Sequence, residues 1–91
     1  MEDKFLIAWK NTREQAQKQG VRLRSMELTM ANAHRQLSGR RESDGFFALA
    51  DKGLLKYSLE ALAISKAYTG LFSDEEANNA LTRLLDAGYN F

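Results

Sequence analysis

Few side chains in this sequence could take part in catalysis or bind a metal. His34 is the only histidine, cysteine is absent, and the densest acidic group is Asp74, Glu75 and Glu76. A catalytic histidine needs a nucleophile or an orienting carboxylate close by, and the sequence identifies no such neighbour for His34. His34 falls beside the apolar stripe of a predicted helix. We therefore expect it to pack at the edge of the core.

The acidic triplet has a structural explanation. It follows Ser73, and a serine with a glutamate three residues later forms a capping box: the hydroxyl accepts from the Glu76 N–H, and the Glu76 carboxylate accepts from the Ser73 N–H. Acidic residues in a first turn also complement the helix dipole. No nucleotide-binding, zinc or calcium motif occurs. We predict no catalytic residue, no metal ligand and no cofactor, and hence a protein that is not an enzyme.

The distribution of charge is more informative than its total. The formal net charge is only +1, yet residues 10–41 contain eight basic and two acidic residues, a net of +6, against −5 for the rest of the chain. Four arginines in this basic half, namely Arg22, Arg24, Arg40 and Arg41, are our candidate partner-binding residues. If a helix begins near Ser25, Arg22 and Arg24 oppose the positive end of its dipole, and such a conflict is typical of a functional site.

Two functions compete for this basic half. We expect a small, soluble, non-catalytic protein-interaction or regulatory module, whose partner is an acidic protein or a second copy of the chain. The alternative is a nucleic-acid-binding regulator that uses the same four arginines on phosphates. The pI of about 8.0 and the lack of any aromatic residue between Lys10 and Arg41 make this alternative the less favoured.

The elements that would position these residues are marked by glycine, since the chain has no proline. Five glycines fall where a helix would end, at Gly20, Gly39, Gly53, Gly70 and Gly88. They predict an all-α, single-domain bundle of about five helices, at residues 3–19, 25–38, 44–52, 54–69 and 74–87. Ser43 or Asp44 would cap the third helix.

Residues 54–88 should form the centre of this bundle. The helix at 54–69 is apolar at nearly every angle, as expected of a central helix. The helix at 74–87 is amphipathic, with Leu81, Leu84 and Leu85 on its apolar face. An alternative remains for the first third of the chain, because a four-three apolar spacing continues through Gly20 and would allow residues 3–38 to form one long helix.

The size and composition of the chain agree with one helical domain over residues 1–91. A chain of 91 residues is long enough for a single core. The longest apolar run, residues 5–9, is too short to cross a membrane, and the first residues do not resemble an export signal. We therefore expect a cytoplasmic protein without membrane contact.

Overall fold

Five α-helices and two short 3₁₀ segments make up the part of the chain that this computed structural model describes, residues 1–90. The α-helices are α1 (Glu2–Lys18), α2 (Met30–Ser38), α3 (Phe46–Asp51), α4 (Leu59–Ala63) and α5 (Asp74–Asp86), and the 3₁₀ segments are Leu55–Tyr57 and Thr69–Leu71. Residues 1–90 contain no strand, so the predicted all-α class and the number of helices are confirmed. None of the helices in these residues is long and apolar enough to cross a membrane.

Gly20 separates α1 from the rest of the chain. Its φ is +91°, and the N–H of Val21 then donates to the carbonyl of Ala16 across 3.1 Å. Glycine enters this left-handed region without the steric cost that a Cβ would bring. The predicted stop at Gly20 is confirmed, and the alternative of one helix over residues 3–38 is wrong.

The second helix starts later than predicted. Residues 21–29 run without helix, turn or bend, and α2 begins only after Thr29, whose hydroxyl accepts from the Asn32 N–H at 3.1 Å. We refer to residues 21–29 as the connecting segment. The predicted range 25–38 was wrong at its start because Thr29, and not a residue near Ser25, supplies the cap.

Residues 54–69 do not form the single central helix that the sequence predicted. Ser58 interrupts them: its backbone is extended, and its hydroxyl accepts from the Ala61 N–H at 3.1 Å, which starts the short helix α4. The chain is apolar on all sides here because it is packed on several sides, and not because a long helix passes through the core. Gly39 and Gly70 do not take the left-handed conformation either, whereas Gly53 and Gly88 do.

Helix α3 begins after Gly45, a left-handed residue with φ +78°. A Cβ built at Gly45 would come within 2.2 Å of a methyl group of Leu23, so the chain there passes close to the connecting segment. Neither Ser43 nor Asp44 caps the helix with its side chain, contrary to prediction. Both side chains bind elsewhere, as described below.

The capping box at the start of α5 is confirmed, with Ser73 and Glu76 in the predicted roles. The face that α5 turns inward is only partly the predicted one. Leu84 is fully buried, but Leu81 and Leu85 are 38% and 57% exposed, while Arg83 is buried in their place. The prediction that both leucines lie in the core was wrong.

Two groups of apolar side chains fill the interior. The Phe5 ring of α1 packs edge-on against Phe72, with centroids 5.1 Å apart, at the centre of the larger group. Its buried members are Phe5, Trp9, Ala33, Leu37, Leu59, Ala63, Phe72 and Ala80. Ala16, Val21, Phe46, Leu49, Leu55 and Leu84 form the other. The connecting segment joins the two groups, because Val21 belongs to the second and Met26 and Leu28 pack against the first.

A buried ion pair holds the loop between α2 and α3. The Glu60 carboxylate is completely inaccessible and lies 3.1 Å from Nη1 of Arg83. It also accepts from the backbone N–H and the hydroxyl of Ser43, at 2.9 and 2.5 Å. The Arg83 guanidinium donates further to the carbonyls of Gln36, at 3.0 Å, and Gly39, at 2.7 Å. Side chains of α4 and α5 thereby fix the end of α2 and the residues after it.

Candidate functional site

A groove opens between α1 and the connecting segment, and we refer to it as the α1 groove. Its volume is about 280 Å³. Lys10, Arg13, Glu14 and Gln17 of α1 form one wall because their spacing of three and four residues places them on one side of the helix. Leu23, Arg24, Ser25, Met26 and Leu28 form the other. Three of these lining residues are basic and one is acidic, so the groove has a positive charge.

Arg13 and Asp44 hold the connecting segment at Arg24. The Arg24 N–H donates to Oδ2 of Asp44 at 2.9 Å, and the Arg13 guanidinium donates to the Arg24 carbonyl. Arg13 and Asp44 also form an ion pair at 3.7 Å, and both side chains are largely buried. The N–H of Asp44 donates to the side-chain amide of Gln36 at 3.1 Å. The backbone of Arg24 is therefore bound on both its polar groups by one ion pair.

The four predicted arginines are all on the surface, but they do not converge on one site. The Arg24 side chain lines the α1 groove, is 89% exposed, and comes no closer to Asp44 than 3.9 Å. Arg22, Arg40 and Arg41 are exposed, and their side chains have no hydrogen bond or ion pair with any residue among 1–90. Only Arg22 and Arg24 belong to the connecting segment.

Arg40 lies apart from Arg22 and Arg24, in a second groove of about 480 Å³ between the loop after α2 and α5. Three acidic residues, Glu42, Glu75 and Asp86, line that groove with it. The charged residues that line the groove around Arg40 are therefore mainly acidic, whereas those that line the groove around Arg24 are mainly basic.

The reason for which the sequence pointed to Arg22 and Arg24 was wrong. Helix α2 begins at Met30, so both arginines lie more than one turn before it, and the effect of a helix dipole is confined to its first turn. Two residues of the α1 groove, Lys10 and Arg13, were not among the predicted site residues. Their periodic spacing with Gln17 along the polar half of α1 was the signal that could have identified them.

The backbone of the connecting segment is left largely without partners. Among residues 1–90, the N–H groups of 22, 23 and 25–29 have no hydrogen-bond acceptor, and only the carbonyls of Arg24 and Glu27 accept from a side chain before α2 begins. The side chains nevertheless alternate: Met26 and Leu28 are half-buried against the core, and Glu27 between them is exposed. The segment has the pattern of an edge strand that lies alone.

His34 contacts a carboxylate, that of Glu76, as a catalytic histidine with an orienting partner would. Its Nδ1 lies 2.8 Å from Oε2 and 3.0 Å from Oε1 of Glu76, and its ring packs on Phe72. Burial alone raises the pKa of the Glu76 carboxyl, but the Ser73 N–H and the hydrogen bond and charge of His34 outweigh it and lower the pKa below its ordinary value of 4.5. Within residues 1–90 the imidazole has no other hydrogen bond, and it lines none of the grooves described here.

Among residues 1–90, no three histidine, aspartate or glutamate side chains come together in an arrangement that could hold a metal ion. The chain was compared with models of known protein families, with curated proteins and with solved structures, and no match was found in any of the three.

Proposed function

We propose that this protein is a non-catalytic interaction module that binds an acidic partner protein through Lys10 and Arg24 at the α1 groove and through the exposed Arg22, two residues before Arg24 in the connecting segment. The observation that carries the proposal is that the arginines differ in burial and in what they bind. Arg13 and Arg83 are largely buried and bind groups of the protein itself, whereas Arg22 and Arg24 extend into solvent. Neither exposed side chain donates a hydrogen bond within residues 1–90, and the one ion pair, between Arg24 and Asp44, is long at 3.9 Å, so their donors remain available to a carboxylate.

The structure also suggests which arginines matter most to such a partner. Lys10, Arg13 and Arg24 line the α1 groove with one acid, Glu14, and Asp44 offsets one further charge through its ion pair with Arg13, so a net positive field remains. Arg40 faces acidic side chains of α5, which would repel an acidic partner. We therefore propose Arg22 and Arg24 as the main contacts, and Arg40 and Arg41 as minor ones.

Fluorescence anisotropy with a labelled poly-glutamate peptide tests the proposal. We expect binding that weakens as salt is raised, and about tenfold weaker binding for Arg22→Glu/Arg24→Glu, because two reversed contacts of roughly 0.5 to 1 kcal/mol each correspond to that factor. The matched control is Arg40→Glu/Arg41→Glu, which makes the same change of charge and should weaken binding only about two- to threefold.

Two results would count against this function. Equal loss of binding in both double variants would mean that net charge, and not the α1 groove, attracts the peptide. Tighter binding of a single-stranded or duplex oligonucleotide than of the peptide, with a steep dependence on salt, would replace the acidic protein by nucleic acid as the partner.

A second copy of the chain is the other partner that we propose, and α5 supplies the reason. Leu81 and Leu85 lie one turn apart on its exposed side, while Arg83 of the same helix is buried. Packing of this face against a second copy would remove both leucine side chains from water, which is favourable. Light scattering over a concentration series should show a dimer that Leu81→Gln/Leu85→Gln converts to a monomer. A wild-type protein that stays monomeric at every concentration would refute self-association.

A further inference from the structure

The connecting segment has three properties that bear on how a partner could bind to it. Its backbone from Ser25 to Leu28 offers N–H groups that no acceptor among residues 1–90 satisfies. Its side chains alternate, so that Met26 and Leu28 hold it against the core. It forms one wall of the α1 groove, whose lining has a positive charge. A lone edge of this kind is a template for an added strand.

We infer that the partner binds to the α1 groove as an extended acidic peptide, which pairs its backbone with residues 25–28 and places its carboxylates near Lys10 and Arg24. This inference rests on the proposed function and adds the conformation of the bound segment to it. The occupant is identified by charge, because the groove has three basic lining residues and one acidic one.

The repeat of an extended chain matches the length of the connecting segment. Four residues of an extended chain span about 13 Å, and their side chains alternate between two faces. A peptide paired with residues 25–28 would therefore direct every second side chain to the same face. A volume of about 280 Å³ admits a few such side chains.

The protein already contains a small version of this pairing at Arg24. Asp44 accepts from the Arg24 N–H, and Arg13 donates to the Arg24 carbonyl. One acidic and one basic side chain thus satisfy the backbone hydrogen bonds of this residue. The residues that follow, from Ser25 to Leu28, have no equivalent of Asp44. We assign that role to the main chain of the partner.

The test separates backbone pairing from charge. The probes are a labelled hexapeptide of alternating glutamate and valine, and two versions of it that are N-methylated either at every glutamate or at every valine. All three carry the same charge, but each methylated version lacks the N–H donors of one edge. We expect one of them to bind about tenfold more weakly than the unmodified peptide, since a backbone hydrogen bond contributes a factor of about two to ten.

A protein variant makes the reciprocal test. Met26→Pro removes an N–H that has no acceptor among residues 1–90 and that lies on the same edge as the Arg24 N–H, and Met26→Ala is the matched control that shortens the side chain but keeps the N–H. We expect Met26→Pro to bind the unmodified peptide about fivefold more weakly than Met26→Ala does. Thermal denaturation shows whether the proline variant folds, and the methylated peptides test the wild type in either case.

The outcomes distinguish this inference from the proposed function. If the methylated peptides and Met26→Pro bind as their controls do, while Arg22→Glu/Arg24→Glu weakens binding, the contact involves side chains alone and the inference is wrong. If neither the hexapeptide nor poly-glutamate binds at any salt concentration, the acidic partner itself is refuted and the inference with it.

Discussion

Replacing Glu60 by glutamine tests the buried ion pair that fixes the loop between α2 and α3. The Glu60 carboxylate is fully buried and receives three hydrogen bonds, two from Ser43 and one from Arg83. A glutamine keeps the volume but has only one oxygen, so its NH₂ group would face a donor. The Arg83 guanidinium, only 8% exposed, would also lose the charge that neutralises it.

The expected loss is large for a protein of this size. Breaking a buried ion pair by removing one partner costs about 3 to 5 kcal/mol. A domain of this length has a total stability of about 5 to 14 kcal/mol, and 1 kcal/mol shifts its melting temperature by about 4 to 8 °C. We therefore expect Glu60→Gln to melt at least about 12 °C below the wild type, measured by circular dichroism.

Two controls make this result specific. Glu14→Gln alters an exposed glutamate and should change stability by less than about 0.5 kcal/mol. The double variant Glu60→Leu/Arg83→Met removes both charges, so it should be more stable than the sum of its single changes predicts. If Glu60→Gln stays within about 1 kcal/mol of the wild type, the reasoning about the buried carboxylate is wrong.

The other predictions concern caps, titration and a close contact. Ser73→Ala should cost about 1 kcal/mol in urea denaturation, and an unchanged midpoint would show that α5 does not depend on this cap. Because the folded-state pKa of Glu76 is lowered, the contribution of the ionised carboxylate to folding stability is present above about pH 4.5 and is lost as pH falls further. The difference in unfolding free energy between wild type and Glu76→Gln should therefore narrow below about pH 4.5. A difference that stays constant with pH would contradict the lowered pKa. Gly45→Ala should cost more than Gly53→Ala, since both residues have positive φ but only Gly45 would meet the Leu23 side chain, and equal losses would refute that contact.

The features that the sequence predicted correctly are those determined by residues close together in the chain. Gly20, Gly53 and Gly88 end helices or turns, and the Ser73 capping box starts α5, because each depends on hydrogen bonds within a few residues. The all-α class follows from the same local signals. The start of α2 was misplaced because Thr29 competes with Ser25 as a cap, and because the spacing of Leu23, Met26 and Met30 by three and four residues also fits a helix.

The features that could not be predicted depend on contacts between distant residues. Ser58 lies inside the predicted helix over 54–69, so the apolar pattern on both sides of it hid its role as the cap of α4. Glu60 and Arg83 are separated by 23 positions, and only the folded chain shows that they bury each other's charge. The α1 groove is likewise formed by residues from two elements, so sequence alone identified Arg24 but not its neighbour Lys10.

The way in which the connecting segment is held has a consequence for local stability. Arg24 is the residue of the segment, among residues 21–29, whose backbone N–H and carbonyl are both hydrogen-bonded to side chains, and the ends of the segment at Val21 and Thr29 are hydrogen-bonded to α1 and α2. Residues 25–28 can therefore open without unfolding α1 or α5. Their amide hydrogens should exchange with solvent orders of magnitude faster than those in the middle of α5, which requires global unfolding. Opening of this wall of the α1 groove would withdraw Met26 and Leu28 from the core surface, and a bound strand would slow exchange at residues 25–28 alone.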